Sequence, residues 1–220
     1  MITVDFFDHD ALQVAKNLLG KILCAKYQDL WLKAQIIETE AYYLHDTASH
    51  ASLGYTEKRK ALFMPAGTIY MYYARGGDSL NISCAGHGNA VLIKSAIPYQ
   101  ASPDMIATMQ ILNPLPNQKI RSPEKLCSGQ TLLCKSLNLK VPEWNQQQFD
   151  LERFYIQNTD YQPTHIIQTT RLGIPEGRDE LLPYRFIDYN HAKFCTKKPL
   201  SSLISQTNGK FNYDKNSPSS

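Results

Sequence analysis

The stretch Ile36-Ile37-Glu38-Thr39-Glu40-Ala41-Tyr42-Tyr43 decides how the rest of this 220-residue chain is interpreted. Its β-branched residues, which lead into aromatic ones, predict a β-strand. Side chains alternate along a strand, so we expect Glu38, Glu40 and Tyr42 to share one face. The opposite, core-facing set is Ile37, Thr39 and Ala41. Two carboxylates beside an aromatic ring suit a pocket for a flat, electron-poor ring next to a base, whereas an edge strand with both carboxylates in solvent is the competing interpretation.

Composition is that of an ordinary globular protein, with 43% hydrophobic and 20% charged residues. The length favours one domain with a sizeable core. A net charge of +3 is compatible with a nucleic-acid partner and far below that of a polybasic protein. We expect no signal peptide and no membrane contact, which places the protein in the bacterial cytoplasm with the nucleoid, or in a nucleus. Five cysteines without a CxxC pair indicate reduced thiols and no structural zinc.

Local patterns predict alternating helices and strands around this stretch. Asp8 is expected to cap a helix over residues 9–19 that ends at Gly20. A hairpin follows, with strands over residues 22–27 and 30–43. Further strands are predicted over residues 68–73, 80–84, 90–97, 165–169 and 185–189, and helices over 104–112 and, interrupted at Gly129, 126–137. Residues 141–161 give no clear pattern.

Several charged groups admit two interpretations each. The long loop over residues 44–65 carries His45, Asp46 and His50, which with Glu40 could supply metal ligands. The basic run at residues 58–60 is either a solvated face or a phosphate contact. Lys94 interrupts an apolar strand, where it either lies on an open face or is a buried counter-ion to a carboxylate.

An ordered series of motifs carries a resemblance to a known family. The motifs are Glu38-Thr39-Glu40-Ala41-Tyr42, Ala48-Ser49-His50, Met64-Pro65-Ala66-Gly67-Thr68-Ile69-Tyr70-Met71-Tyr72, Asn81-Ile82-Ser83, Leu126-Cys127-Ser128-Gly129 with Leu133-Cys134, and Arg171-Leu172-Gly173-Ile174. Over about residues 6–198 the chain resembles the alkyladenine (3-methyladenine) DNA glycosylase family. The resemblance implies a mixed α+β fold: a single domain with a curved antiparallel β-sheet flanked by helices. We assign residues 1–206 to the catalytic domain and predict a disordered tail over 207–220.

The resemblance also implies a pocket for a nucleotide rotated out of the duplex. Tyr42, His50 and Tyr72 would sandwich the extruded base, and a positively charged alkylated purine would gain cation–π attraction. Ala48 would line the same pocket. Asn81 would lie against the purine edge, where the exocyclic amino group of guanine would clash.

Catalysis in this family implies that Glu40 activates a water for attack on C1′. Glycoside hydrolases normally use two carboxylates, but an N-alkylated purine is already positive and needs no acid to leave. Glu38 is therefore expected to be structural. Lys94 stands where the family has an arginine that helps to hold the water, so it keeps the charge and loses the planar fork.

Contacts with DNA are expected from Lys58, Arg59 and Arg75, the last being nearest to the position of the tyrosine that the family inserts into the duplex. The expected protein is a monomeric, monofunctional glycosylase without metal or cofactor. Its substrate would be double-stranded DNA containing 3-methyladenine, 7-methylguanine, hypoxanthine or ethenoadenine. A metal-dependent phosphoesterase and a non-catalytic module that binds damaged DNA are the alternatives.

Overall fold

The computed structural model describes residues 1–74, 76–196 and 204–207. These residues contain nine strands, and every strand pairing is antiparallel. The strands are β1 (Ile22–Tyr27), β2 (Leu30–Tyr42), β3 (Ile69–Ala74), β4 (Gly77–Ser83), β5 (Ala90–Pro98), β6 (Phe154–Gln157), β7 (His165–Thr169), β8 (Arg185–Asp188) and β9 (Ile204–Thr207). The α-helices are α1 (Ala11–Leu18), α2 (Pro103–Leu112), α3 (Gln130–Ser136) and α4 (Val141–Trp144). The predicted mixed α+β class with an antiparallel sheet is confirmed.

Strand β2 is the centre of the sheet, whose order is β3-β4-β5-β2-β8-β7-β9. Strand β5 runs along one edge of β2 from Ala34 to Tyr42. The other edge is shared, because β1 pairs with the first half of β2 and β8 pairs with Glu38–Glu40. The acidic end of β2 therefore lies between two strands, and the alternative of a solvated edge strand is wrong.

A break in the pairing of β2 with β5 reverses which side chains face the main core. Register shifts occur around Glu38. Before the break, Leu32, Ala34 and Ile36 lie in the main core, whereas beyond it Ala41 does. Ile37 packs instead in a separate cluster with Ile167, Ile187 and Cys195. The expectation that Ile37 shares the face of Thr39 and Ala41 was wrong, because strict alternation does not hold through a β-bulge.

Helix α1 covers the main core beside β2. It begins after Asp10, whose carboxylate accepts a hydrogen bond from the backbone N–H of Leu12 at 3.0 Å, rather than after Asp8 as predicted. Gly20 follows the helix with φ +85°, the left-handed conformation that favours glycine. The Thr39 hydroxyl donates to the carbonyl of Ala15 at 2.8 Å and so ties α1 to β2.

Two short strands were not predicted. β6 lies within residues 141–161 and pairs with β1, and β9 pairs with β7. Arg75 and residues 208–220, which include almost all of the predicted tail, lie outside the described residues. The five cysteines are buried and none is in a disulfide. Within the described ranges, no helix combines the length and apolar character needed to cross a bilayer.

Candidate functional site

A cavity of about 320 Å³ opens where the acidic end of β2 meets β3, β4 and β5. Its volume is within the range of small-ligand sites. The five residues predicted to bind substrate all line it, and so does Lys94; the five are Tyr42, Ala48, His50, Tyr72 and Asn81. The loop that carries Leu172, Gly173, Ile174 and Pro175 closes another side. The structure therefore brings together predicted substrate-binding residues that lie up to 39 positions apart in the sequence. It also places this loop in the cavity wall.

Glu40 lies directly behind the cavity wall. Its side chain is fully buried, and one carboxylate oxygen, Oε2, accepts a hydrogen bond from the Tyr42 hydroxyl at 2.8 Å. The other oxygen, Oε1, accepts from the backbone N–H of Leu172 at 3.0 Å. Tyr42 and Leu172 both line the cavity, so the two residues that bind the Glu40 carboxylate would also contact a molecule bound in the cavity.

Lys94 is the counter-ion of Glu40. Its Nζ lies 3.4 Å from Oε1 and 3.4 Å from Oε2 of the carboxylate. The side chain is only 10% exposed and faces the cavity. Of the two interpretations of this lysine, the structure supports the buried counter-ion.

Tyr42 is held as a hydrogen-bond donor. Burial, together with the adjacent Glu40 carboxylate, raises the pKa of Tyr42 well above its ordinary value. The phenol therefore keeps its proton throughout the neutral range and donates a hydrogen bond to Glu40. This contact fixes the ring and the carboxylate relative to each other.

Glu38 occupies the same strand but has different partners. Its Oε1 accepts from Nε of Arg185 at 2.6 Å. Its Oε2 accepts from the Ser95 hydroxyl at 2.5 Å and from the backbone N–H of Thr196 at 3.2 Å. Glu38 is fully buried and does not line the cavity, which supports a structural role.

Aromatic side chains form one side of the cavity. The rings of His50 and Tyr72 are 4.3 Å apart between centroids, and those of Tyr70 and Tyr72 are 5.5 Å apart and nearly parallel. Nδ1 of His50 lies 2.9 Å from the Tyr70 hydroxyl. Partial burial lowers the pKa of His50, and the guanidinium groups of Arg59 and Arg178 lower it further, so the imidazole is neutral at pH 7.

Asn81 lines the same cavity. It is buried, and its Nδ2 donates to the carbonyl of Tyr70, its cross-strand partner, at 3.2 Å. That hydrogen bond holds the amide in one orientation. A fixed amide at the cavity wall can discriminate between ligands that differ in their polar groups, because a mismatched polar group would be left unpaired there.

A second buried ion pair, which was not predicted from the sequence, lies beside Tyr42. Both terminal nitrogens of Arg171 donate to the carboxylate of Asp46, with Nη2 to Oδ1 at 3.0 Å. Nη1 also donates to the carbonyl of Ala41, and Nη2 donates to that of Asp179. Burial lowers the pKa of Arg171, but the hydrogen bonds that its guanidinium donates to the Asp46 carboxylate, together with the negative charge of that group, outweigh burial and raise the pKa. Arg171 was noted only as part of a family motif, and its partner 125 residues away carries no local signal.

Of the predicted DNA contacts, Lys58 and Arg59 are described; neither lines the cavity, but both lie on a segment that does. Lys58 is exposed on the 3-10 helix Glu57–Phe63, which contributes Leu62 to the cavity wall. Nη1 of Arg59 donates to the carbonyls of Leu53 and Gly54 at 2.9 and 2.6 Å. Arg178 was missed by sequence reasoning, although it lines the cavity and donates to the carbonyl of Thr47. Both guanidinium groups are thus held by backbone carbonyls of one loop.

The metal ligands considered from the sequence are not assembled into a site. Asp46 is paired with Arg171, His50 contacts Tyr70, and Glu40 is bound as described above. Within the described part of the chain, no three His, Cys, Asp or Glu side chains are grouped so as to hold a metal ion.

Comparison with known proteins gives one consistent result. Residues 5–192 match the profile of the family described as methylpurine-DNA glycosylase. A protein from Pseudomonas savastanoi pv. phaseolicola, provisionally named 3-methyladenine DNA glycosylase, is 59% identical over 198 residues, covering 89% of each chain. A protein of the same provisional name from Pseudomonas aeruginosa LESB58 is 58% identical over 89% of this chain and 83% of its own. One from Carboxydothermus hydrogenoformans is 33% identical over 88% of this chain and 97% of its own.

Proposed function

The chain belongs to the methylpurine-DNA glycosylase family, and on that premise we propose that it excises alkylated and deaminated purines by hydrolysing their N-glycosidic bonds. It is a DNA glycosylase, and its product is an abasic site in DNA. The proposed substrates are 3-methyladenine, 7-methylguanine, hypoxanthine and ethenoadenine. The observation that carries the proposal is the fully buried Glu40 carboxylate bonded to Tyr42 and Leu172, two residues that line an aromatic cavity.

The cavity is suited to a base that has left the helix. An enzyme that acts on the glycosidic bond must extract the nucleotide at a cost of a few kcal/mol, which is smallest for damaged or poorly paired bases. Stacking on aromatic side chains offsets that cost by about 1–3 kcal/mol per base. Tyr42 lines the cavity together with the ring pair of His50 and Tyr72, so a purine placed there has aromatic contacts.

Glu40 acts on a water at C1′ in this proposal. A carboxylate has about four acceptor positions, and Tyr42 and Leu172 take two of them at normal hydrogen-bond lengths. Lys94 is farther away, at 3.4 Å from each oxygen. An acceptor position therefore remains for a water, and the negative charge also stabilises the positive charge that develops on the sugar.

The departing base determines whether an acid is needed. A positively charged alkylated purine leaves as a neutral molecule, so Glu40 alone suffices. Glu38 is unsuited to protonate the base, because Arg185, Ser95 and Thr196 occupy its oxygens and it does not reach the cavity. Neutral substrates such as hypoxanthine are then expected to react more slowly than charged ones of equal fit.

The test is single-turnover release of each base from defined duplexes by the wild type and by Glu40→Gln. The amide keeps the shape of the side chain but cannot take a proton, so excision should collapse while binding of damaged DNA persists. Wild-type excision rates retained by Glu40→Gln would refute the mechanism. Absence of base release by the wild type would refute the activity and favour a binding module.

The proposed enzyme is monofunctional and works as a monomer. Lys94 lines the cavity, but it is engaged as the counter-ion of the Glu40 carboxylate and is therefore not free to act as a nucleophile. Borohydride should therefore trap no covalent protein–DNA adduct, and full activity should persist in EDTA. A trapped adduct that disappears in Lys94→Met would show a Schiff base and refute the monofunctional proposal.

A further inference from the structure

The guanidinium of Arg171 covers one face of the Tyr42 ring. Its Cζ lies 4.6 Å from the ring centroid, within the range of a cation–π contact. The Arg171 side chain is fully buried and does not line the cavity, whereas Tyr42 does. The cation therefore lies on the side of the ring turned away from the cavity, and the other side remains for a bound base.

The same guanidinium connects three segments that form the cavity. It donates to Ala41 of β2, next to Tyr42. It holds Asp46, whose Oδ1 also accepts from the backbone N–H of Ala48 at 2.9 Å. The residue that follows it, Leu172, donates its backbone N–H to Glu40. A change in the position of Arg171 would therefore displace the Tyr42 ring, the loop that leads from Asp46 to His50, and the Leu172 N–H that binds Glu40.

One hydrogen-bond donor of Arg171 is unpaired. Among the residues that the structure describes, Nε of Arg171 is a buried side-chain nitrogen without a hydrogen-bond partner. A buried donor without a partner costs free energy, and such groups in native proteins call for an explanation beyond stability. Stacking on Tyr42 and on Tyr184, at 5.4 Å, sets the orientation that leaves Nε unpaired.

From this geometry we infer that Arg171 is a positioning residue that influences which damaged bases are preferred, because it weakens the attraction of the Tyr42 ring for a positively charged base. The inference rests on the proposed function, in which an extruded purine stacks on Tyr42. The negative face of an aromatic ring attracts a cation. Arg171 already engages the ring from behind and repels a second positive charge on the other face. A charged purine then gains less from this wall than it would from an ordinary tyrosine.

The consequence concerns the class of substrate. Neutral damaged purines, such as hypoxanthine and ethenoadenine, lose nothing from the cation behind the ring, whereas 3-methyladenine and 7-methylguanine lose part of their electrostatic advantage. His50 also lines the cavity, and its neutral imidazole does not repel a positively charged base. Stacking in the cavity should therefore discriminate little between neutral and charged purines, so that selection at the binding step is left to shape and to Asn81; the slower departure of a neutral base is unaffected by Arg171.

The experiment compares the single-turnover excision rates of 7-methylguanine and hypoxanthine from duplexes of one sequence. In the double variant Arg171→Met with Asp46→Asn, the cation and its counter-ion are both removed, and the charged-to-neutral rate ratio should rise about two- to fivefold. In Asp46→Asn alone, the cation remains without its counter-ion, so the ratio should fall. A merely structural role would not move the ratio in opposite directions.

A matched control is the double variant Glu38→Gln with Arg185→Met, which removes another buried ion pair of β2 that does not line the cavity. It should lose stability while the rate ratio stays at the wild-type value. An unchanged ratio in folded Arg171→Met, Asp46→Asn would overturn the inference and leave the proposed function intact. If that variant does not fold, Asp46→Asn decides alone: a lower ratio supports the inference and an unchanged or higher one overturns it. Release of neither base by the wild type would instead refute the proposed function.

Discussion

Tyr42→Phe separates two roles that one side chain combines. The substitution removes the hydroxyl that donates to Oε2 of Glu40 at 2.8 Å and leaves the ring in place. Burial and the carboxylate raise the pKa of Tyr42 well above its ordinary value, so the wild-type residue is a donor at every pH of interest. The ring, its contact with Arg171 and its exposure to the cavity should persist in phenylalanine. Any loss therefore reports on how Glu40 is held.

The expected size of the effect follows from the remaining donors. A hydrogen bond to a charged group contributes about 1.5–3 kcal/mol. The N–H of Leu172 at 3.0 Å and Lys94 at 3.4 Å continue to hold the carboxylate, which favours the lower limit. A loss of about 1.4 kcal/mol slows the chemical step about tenfold. Binding of damaged DNA should change by less than about twofold, because stacking is retained.

The assay is single-turnover excision of 7-methylguanine at saturating enzyme, with duplex affinity measured separately by fluorescence anisotropy. Tyr161→Phe is the matched control, because it removes a hydroxyl that donates to Asp188 at 2.6 Å and does not line the cavity. That control should excise at the wild-type rate. Excision by Tyr42→Phe at the wild-type rate, or a loss confined to DNA binding, would refute the idea that this hydroxyl positions Glu40.

Three further predictions concern stability, pH and salt. Glu38→Gln should lower the free energy of unfolding by about 3–5 kcal/mol in urea titrations, because it breaks the buried ion pair between Glu38 and Arg185; an unchanged midpoint would contradict this. Since the pKa of folded His50 is lowered, the unfolded chain binds the proton more readily, and the stability from this residue is lost as the pH falls from about 6.5 through the lowered pKa. His50→Gln should flatten that dependence in unfolding curves at about pH 5 and pH 7, and an equal slope in both proteins would argue against it. Lys58→Ala and Arg59→Ala should each reduce the slope of log affinity against log salt by about 0.9 if each contacts one phosphate; identical slopes would exclude those contacts.

Glu38 and Glu40 show what a local sequence pattern can and cannot predict. The two glutamates lie two positions apart on β2, and the local pattern does not distinguish their carboxylates. The structure gives Glu38 a complete set of donors away from the cavity, whereas Glu40 is bonded to two residues that line it. The distinction arises from partners on β5, β8 and the loop after β7, none of which is close in sequence.

The sequence by itself determined several elements and the members of the candidate site. Strands β1 and β7 begin and end where they were predicted, and the five residues that the family resemblance proposed to bind the base all line one cavity. The order of motifs also determined the family. These features depend on neighbouring residues or on a series of positions, and both can be read along the chain.

Only the tertiary structure decided the start of α1, the reversal of faces in β2, and strands β6 and β9. Asp8 and Asp10 are equivalent caps in sequence, and the choice between them depends on packing of the first helical turn, in which Asp10 also accepts from the Tyr43 hydroxyl. The pair of Arg171 with Asp46 joins residues 125 positions apart, and the bond from Leu172 to Glu40 joins residues 132 apart. A buried charge is stable only beside its partner, and that partner is chosen by the folded chain, so local pattern contains no signal for it.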